Sequence, residues 1–264
     1  MTTLPGTPNP EAPNPQVPVV QKVRLRYAKR GRLRFTSHRD FSRAFERAVR
    51  RAGTPIGFSS GYSPHPKISY ANASPTGAAT EAEYLEIGLT RVCDHEQVRA
   101  ALDEALPPGI DIIDSVVAGQ GSLAERLEAS EWEISLTGVD PAEVATAVEA
   151  FLSAESVDVQ RMTKKGLRTF DSRAAVLRLS SRSVGSGQDN CAILTMVVRH
   201  GTPSVRPDDV LAGLRASGGL VLDESPLVSR LAQGPLDTET GTVGDPFALD
   251  RDTSEQSDGD RGGV

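Results

Sequence analysis

The sequence predicts an α+β fold: two tandem ferredoxin-like β-α-β-β-α-β units between disordered termini. Three observations lead there. The apolar period changes repeatedly between two and about 3.6 along the chain. Capping and stop residues punctuate those changes. Both ends are too poor in aliphatic residues to build a core. The boundaries follow: a Pro-rich tail at 1–20, a basic unit at 21–120, a second unit at 130–235 and an acidic tail at 236–264.

In the first unit, Val23, Leu25 and Tyr27 alternate with basic residues and predict a half-exposed strand, with a short continuation at Leu33 to Phe35. Ser37 with Asp40 three residues later is a capping-box pattern, and Phe41, Ala44, Phe45, Ala48, Val49 and Ala52 form one apolar helical face. Gly53, Thr54 and Pro55 stop that helix. Strand-like pieces are expected at 55–59 and 68–70, and Tyr84, Leu85, Ile87 and Leu89 predict another strand. Asp94 and Gln97 open a second helix with Val98, Ala101, Leu102, Ala105 and Leu106 on its buried face, and 110–117 closes the unit.

The same order recurs in the second unit. Trp132, Ile134 and Leu136 predict a strand, and Asp140-Pro141 opens a helix with Val144, Ala147, Val148, Phe151 and Leu152 inward. Strands are expected at 157–161, 173–179 and 191–198, with Lys164-Lys165-Gly166 as a hairpin tip. A short helix at 207–214 and a last strand beginning at 220–222 complete it.

Composition narrows the class. With 264 residues and 38% apolar content there is material for real cores. No apolar run approaches the length of a membrane span and no secretory pattern opens the chain, so a cytoplasmic protein with no membrane partner is expected. Two cysteines, Cys93 and Cys191, are expected as buried thiols; they supply neither a disulfide framework nor a metal or iron–sulfur ligand set, and no metal or cofactor is expected. Phosphate-cradling glycine loops, G-x-G-x-x-G and G-x-S-x-G are absent, which removes support from common nucleotide-dependent and hydrolase mechanisms.

The formal net charge of −6 hides an asymmetry. Thirteen basic residues stand from Lys22 to Lys67 against two acids, whereas eight acids stand from Asp237 to the end against two arginines. The first block calls for an anionic partner, for which the tail competes. Arg39, Arg43, Arg47 and Arg50 or Arg51 recur every three to four residues and line the helix face opposite Phe41 and Phe45, a phosphate-binding surface. Gly61 to Pro66 is a restrained loop presenting Tyr62 and His65, with Lys67 next to it. His38 lies in a first helical turn, where the dipole favours neutral imidazole, and is the candidate general base. Lys164, Lys165 and Arg168 form a second basic edge.

Phe35-Thr36-Ser37-His38-Arg39-Asp40, Ser60-Gly61-Tyr62-Ser63-Pro64-His65-Pro66-Lys67 and Glu81-Ala82-Glu83-Tyr84-Leu85 resemble the radical-SAM-associated bacterial domain of unknown function, in its stand-alone actinobacterial form. The likeness spans Val23 to Leu89 and extends to Lys164-Lys165-Gly166 and Phe170-Asp171-Ser172-Arg173. Arg39 stands where many fused members carry an apolar residue. The resemblance implies an accessory role beside a radical enzyme or in RNA metabolism. The leading expectation is a non-catalytic RNA-binding or substrate-presenting module, with Arg39, Arg43, Arg47, Arg51, Lys67, Lys164, Lys165 and Arg168 on phosphates and Tyr62 or His65 on a base. The alternatives are a metal-independent endoribonuclease-like enzyme using His38, and a docking partner of a radical-SAM or RNA-processing protein.

Overall fold

In the computed structural model, residues 16–164, 166–185 and 191–252 are described; most of the Pro-rich tail, Lys165 and the end of the acidic tail lie outside them. The first half runs β1 (Gln21–Lys29), α1 (His38–Arg51), β2 (Ile68–Ala71), β3 (Ala79–Leu89), α2 (His95–Ala105) and β4 (Ile110–Val117). Its strands pair antiparallel in the order β4-β1-β3-β2. The second half runs β5 (Ala129–Thr137), α3 (Pro141–Ser153), a hairpin of β6 (Asp158–Thr163) and β7 (Gly166–Asp171), then β8 (Val176–Val184), β9 (Cys191–Arg199), α4 (Pro207–Gly218) and β10 (Leu227–Gly234). Apart from the hairpin it repeats the same antiparallel order, as β10-β5-β9-β8.

One mixed sheet unites the halves, because β10 pairs in parallel with the start of β3 through Ser229↔Ala79 and Arg230↔Thr80. A single transverse row crosses it in register: Ile110, Lys29, Thr80, Arg230, Trp132, Met196, Leu179. Residues in direct register share a face. Ile110 belongs to the core under α1 and α2, and Met196 and Leu179 to the core under α3 and α4. Both helix pairs therefore cover one face of the sheet, and the row is polar where neither covers it.

The helices start where their caps say. Ser37 accepts from the Asp40 N–H and Asp94 from those of Glu96 and Gln97, while Asp140 caps α3 with Pro141 in its first turn. Phe41, Phe45, Ala48 and Val49 of α1 pack on Val23, Leu25 and Tyr27, with the Phe41 ring stacked on Tyr27 at 4.3 Å. Val144, Ala147 and Phe151 of α3 meet Val210 and Leu214 of α4 over Ile134 and Leu194.

Several expectations are corrected. Leu33 to Phe35 does not extend β1: Gly31, at φ +54, turns the chain into a 3-10 helix, Gly31–Phe35, that leaves Phe35 60% exposed. Residues 55–59 make two isolated bridges, Ile56↔Leu89 and Phe58↔Pro66, because the segment divides its pairing between two partners. The last strand of the second half is β10 and not 220–222; Leu220 is instead a buried plug in the α3–α4 core. Cys93 and Cys191 are half-buried free thiols. The chain after Pro235 is folded as far as it is described: β11 (Leu236–Asp237) pairs with β12 (Thr242–Val243), and a helical turn follows at 248–252. Phe247 is fully buried there against Tyr84, Val116, Leu123 and Leu127 on the opposite face of the sheet. Among the described residues no helix is long and apolar enough to cross a membrane.

Candidate functional site

Between the two helix pairs a cleft of about 540 Å³ opens over the polar middle of the row. His38 at the start of α1, the 72–76 loop between β2 and β3, and 204–208 at the start of α4 form its walls; Ser130, Trp132, Val198, His200 and Arg230 are its floor. The cleft exists because each half builds its own helix pair, and α1 and α4 stop short of each other above the β3–β10 seam.

Arg230 organises the floor. Its side chain is 2% exposed and its Nη2 donates to Glu83 Oε1 at 2.7 Å, with Glu83 1% exposed. Nη1 donates to the Asn72 carbonyl at 2.9 Å, and the guanidinium lies over the Trp132 ring at 5.4 Å. Burial pulls its pKa below the usual arginine range, and Glu83 opposes that pull. Glu83 also accepts from the Ser74 N–H at 3.0 Å and from the Tyr27 hydroxyl at 3.5 Å. Burial first, and the Glu83 charge second, hold the Tyr27 phenol well above its ordinary value, so it remains a donor. Lys29, buried in the same row, has its pKa lowered by desolvation, with Glu83 acting the other way.

His200 supplies the next layer. Its Nδ1 lies 2.6 Å from the Leu127 carbonyl, which requires a proton on that nitrogen and leaves Nε2 to accept from the Ser130 hydroxyl in close contact with it. Burial lowers its pKa, only partly offset by the bond to Leu127. The imidazole is neutral at pH 7. Asn72, in the left-handed region at φ 46, reaches 3.1 Å to Gln233 Oε1 with its amide nitrogen, and Gln233 donates to the Ala82 carbonyl at 2.7 Å. The floor is thus a connected polar network spanning β1, β3, β5 and β10.

Of the residues singled out in the sequence, only His38 lines this cleft. Its ring packs edge-on to Tyr70 at 4.9 Å and its Nδ1 is 3.3 Å from Ser42 Oγ. Arg39, Arg43 and Arg47 stand exposed on the outer face of α1. Arg51 donates to the Ala105 carbonyl at 3.1 Å, tying α1 to the end of α2, and Arg50 is paired with Glu46 at 3.7 Å. Tyr62 is 86% exposed at the tip of a loop closed by the Phe58↔Pro66 bridge and by Ser59 N–H to His65 O at 2.8 Å; His65 and Lys67 are exposed beside it. Lys164 and Arg168 are exposed on the β6–β7 hairpin of the other half. That hairpin is held to the start of α4 by Arg161, whose Nη1 meets Asp209 at 2.5 Å. Lys165 lies outside the described residues.

Arg230, Glu83, Asn72, His200, Ser130 and Trp132 were not expected as site residues. One signal for them exists: Glu83 falls in phase with Leu85, Ile87 and Leu89, a charge on the core side of an apolar alternation. Arg230 had no such signal, because its strand is polar where it crosses the cleft. A second hollow of about 320 Å³ shares Pro75, Thr76, Pro207 and Asp208 with the cleft and leads to Arg34 and Phe35, with Arg34 over the Phe35 ring at 4.7 Å.

No curated protein matches the chain. Among solved structures, a variant of DypB from Rhodococcus jostii RHA1 in complex with heme aligns at 11% identity over 75% of this chain and 84% of that one, with a TM-score of 0.22. A dye-decolorizing protein from V. cholerae aligns at 10% identity over 85% and 93%, with a TM-score of 0.18. At such TM-scores neither fold nor ligand is carried across. The family comparison is of another order, since the match runs from the first strand to the start of α4: over residues 22–207 the chain fits the family described as an uncharacterized protein conserved in bacteria, DUF2344, and it belongs to that family.

Proposed function

We propose that this chain is a cytoplasmic, non-catalytic accessory module that binds single-stranded RNA, built from two ferredoxin-like units joined edge to edge. The repeated four-strand order, with a helix after the first and third strand of each half, supports the architectural part. The observation that carries the functional part is the outer face of α1. Arg39, Arg43 and Arg47 rise there at helical spacing with no hydrogen bond or ion pair to another described residue, next to a cleft that continues to the exposed Phe35. Free guanidinium groups on one stripe suit a phosphate backbone, and an exposed ring flanked by arginine suits an unstacked base.

Binding of a labelled single-stranded RNA, followed by fluorescence anisotropy across a salt series, tests this reading. Each phosphate contact on a single strand contributes about −0.7 to the slope of log K against log salt. The Arg43→Ala, Arg47→Ala double variant should therefore bind more weakly and flatten that slope by about 1.4. Salt-independent binding, or none, rejects it.

A second reading has an observation of its own. Met162 and Leu167 face each other near the hairpin tip and are 73% and 57% exposed, between Lys164 and Arg168. Such a tip suits docking to a radical-SAM or RNA-processing protein. Partners that survive ribonuclease treatment in co-purification and are lost from Met162→Ser, Leu167→Ser support it. The endoribonuclease alternative requires that His38→Ala bind RNA and fail to cleave it.

A further inference from the structure

Two buried polar atoms, Arg230 Nε and Ser74 Oγ, have no hydrogen-bond partner among the described residues, and both belong to residues that line the cleft, one on its floor and one on its wall. The rest of the Arg230 guanidinium is engaged by Glu83, Asn72 and Gln233. Leaving such groups unmet costs stability, and a ligand that bonds to them recovers it. The remaining chemistry narrows the ligand. Glu83 offsets the charge of Arg230, so the floor itself offers a bare anion little net positive potential, whereas Arg206 stands exposed on the rim. Trp132 and His38 contribute rings to the lining, and Asn72 and Ser130 contribute an amide and a hydroxyl suited to the edge of a heterocycle. The volume of about 540 Å³ lies within the range of small-ligand sites.

We propose that this cleft takes one nucleotide unit, with its base over the Trp132–Arg230 floor, hydrogen-bonded there, and its phosphate toward Arg206 on the rim. The assignment deepens the RNA reading and rests on it insofar as the nucleotide belongs to a strand crossing α1. A free nucleoside monophosphate offers the same chemistry and is the other source.

Trp132 is the single tryptophan of the chain, so its emission reports occupancy of the cleft directly. The full chain is titrated with each nucleoside monophosphate, with inorganic phosphate and with a short single-stranded RNA, while RNA binding is followed separately by anisotropy. A saturable change with a monophosphate or with RNA, absent with phosphate, is expected. It should weaken about fivefold in Ser74→Ala, the effect of one lost hydrogen bond, and disappear in Ala73→Phe, which fills the mouth. A response to RNA alone assigns the nucleotide to a strand; a response to monophosphate without RNA binding keeps the cleft and removes the RNA reading. An unmoved Trp132 while RNA binds by anisotropy, or an equal response in Ala73→Phe, overturns the cleft and leaves the RNA reading standing.

Discussion

A buried guanidinium paired with a buried carboxylate is costly to remove by halves. Arg230 and Glu83 are each almost completely excluded from water. Arg230→Met strands Glu83 and should cost about 3–5 kcal/mol, whereas the Arg230→Met, Glu83→Leu pair should recover most of that loss. Urea denaturation of the two variants checks this; equal losses would mean that the pair does not act as a unit. His200 gives the molecule a pH dependence. Its folded pKa lies below the ordinary value of 6.5, so the unfolded chain takes up the proton first as pH falls. The contribution is fully present above about pH 6.5 and is lost on acidification until the folded imidazole also protonates. Thermal denaturation at pH 7 and pH 5 should show a smaller acid loss in His200→Asn than in the parent. The role of His200 was not written into local sequence, because a half-buried histidine between Ser130 and the Leu127 carbonyl owes its environment to residues 70 and 73 positions away.

Elements were legible where local chemistry decides them. Ser37, Asp94 and Asp140 cap the helices they were expected to cap, and the apolar faces of α1, α2 and α3 point inward as their spacing requires. Elements shaped by neighbours were not. The stretch 31–35 has strand-like alternation, yet its backbone closes i to i+3 bonds, Leu33 N–H to Arg30 O and Thr36 N–H to Leu33 O. β10 escaped notice because Arg230 and Gln233 break its apolar pattern, and they do so because no helix covers the seam. The crossing of α3 and α4 is also a matter of neighbours. A Cβ on Gly213 would sit 2.6 Å from the Phe151 ring and 2.8 Å from Ser172 Oγ. Gly213→Ala should destabilise by about 1–3 kcal/mol despite the better helix propensity of alanine. A stabilised variant in denaturant titration would show that the two helices separate easily.

At the scale of the whole molecule, the acidic segment is partly a structural strap. Asp250 is fully buried, takes both carboxylate oxygens to Arg24 Nη1 at 2.8 Å, and is bonded to Arg126 and the Gly119 N–H at 2.9 Å. Asp250→Ala leaves Arg24 buried with only Glu86 and the Gly121 carbonyl as partners, and should cost about 3–5 kcal/mol, while Asp252→Ala, at an exposed position, should be neutral. Chemical denaturation separates the two, and the loss should appear in one transition because a single sheet joins both halves. By itself the sequence determined the alternation of strands and helices, the helix starts and the basic stripe on α1, since each depends on spacing and side-chain chemistry within a few turns. Only the tertiary structure decided that the halves share a sheet, that 236–252 closes its far face, and that Arg230, Glu83 and His200 meet beneath a cleft. Those outcomes depend on pairing between residues as far apart as Thr80 and Arg230, where register and burial, and not local pattern, select the partner.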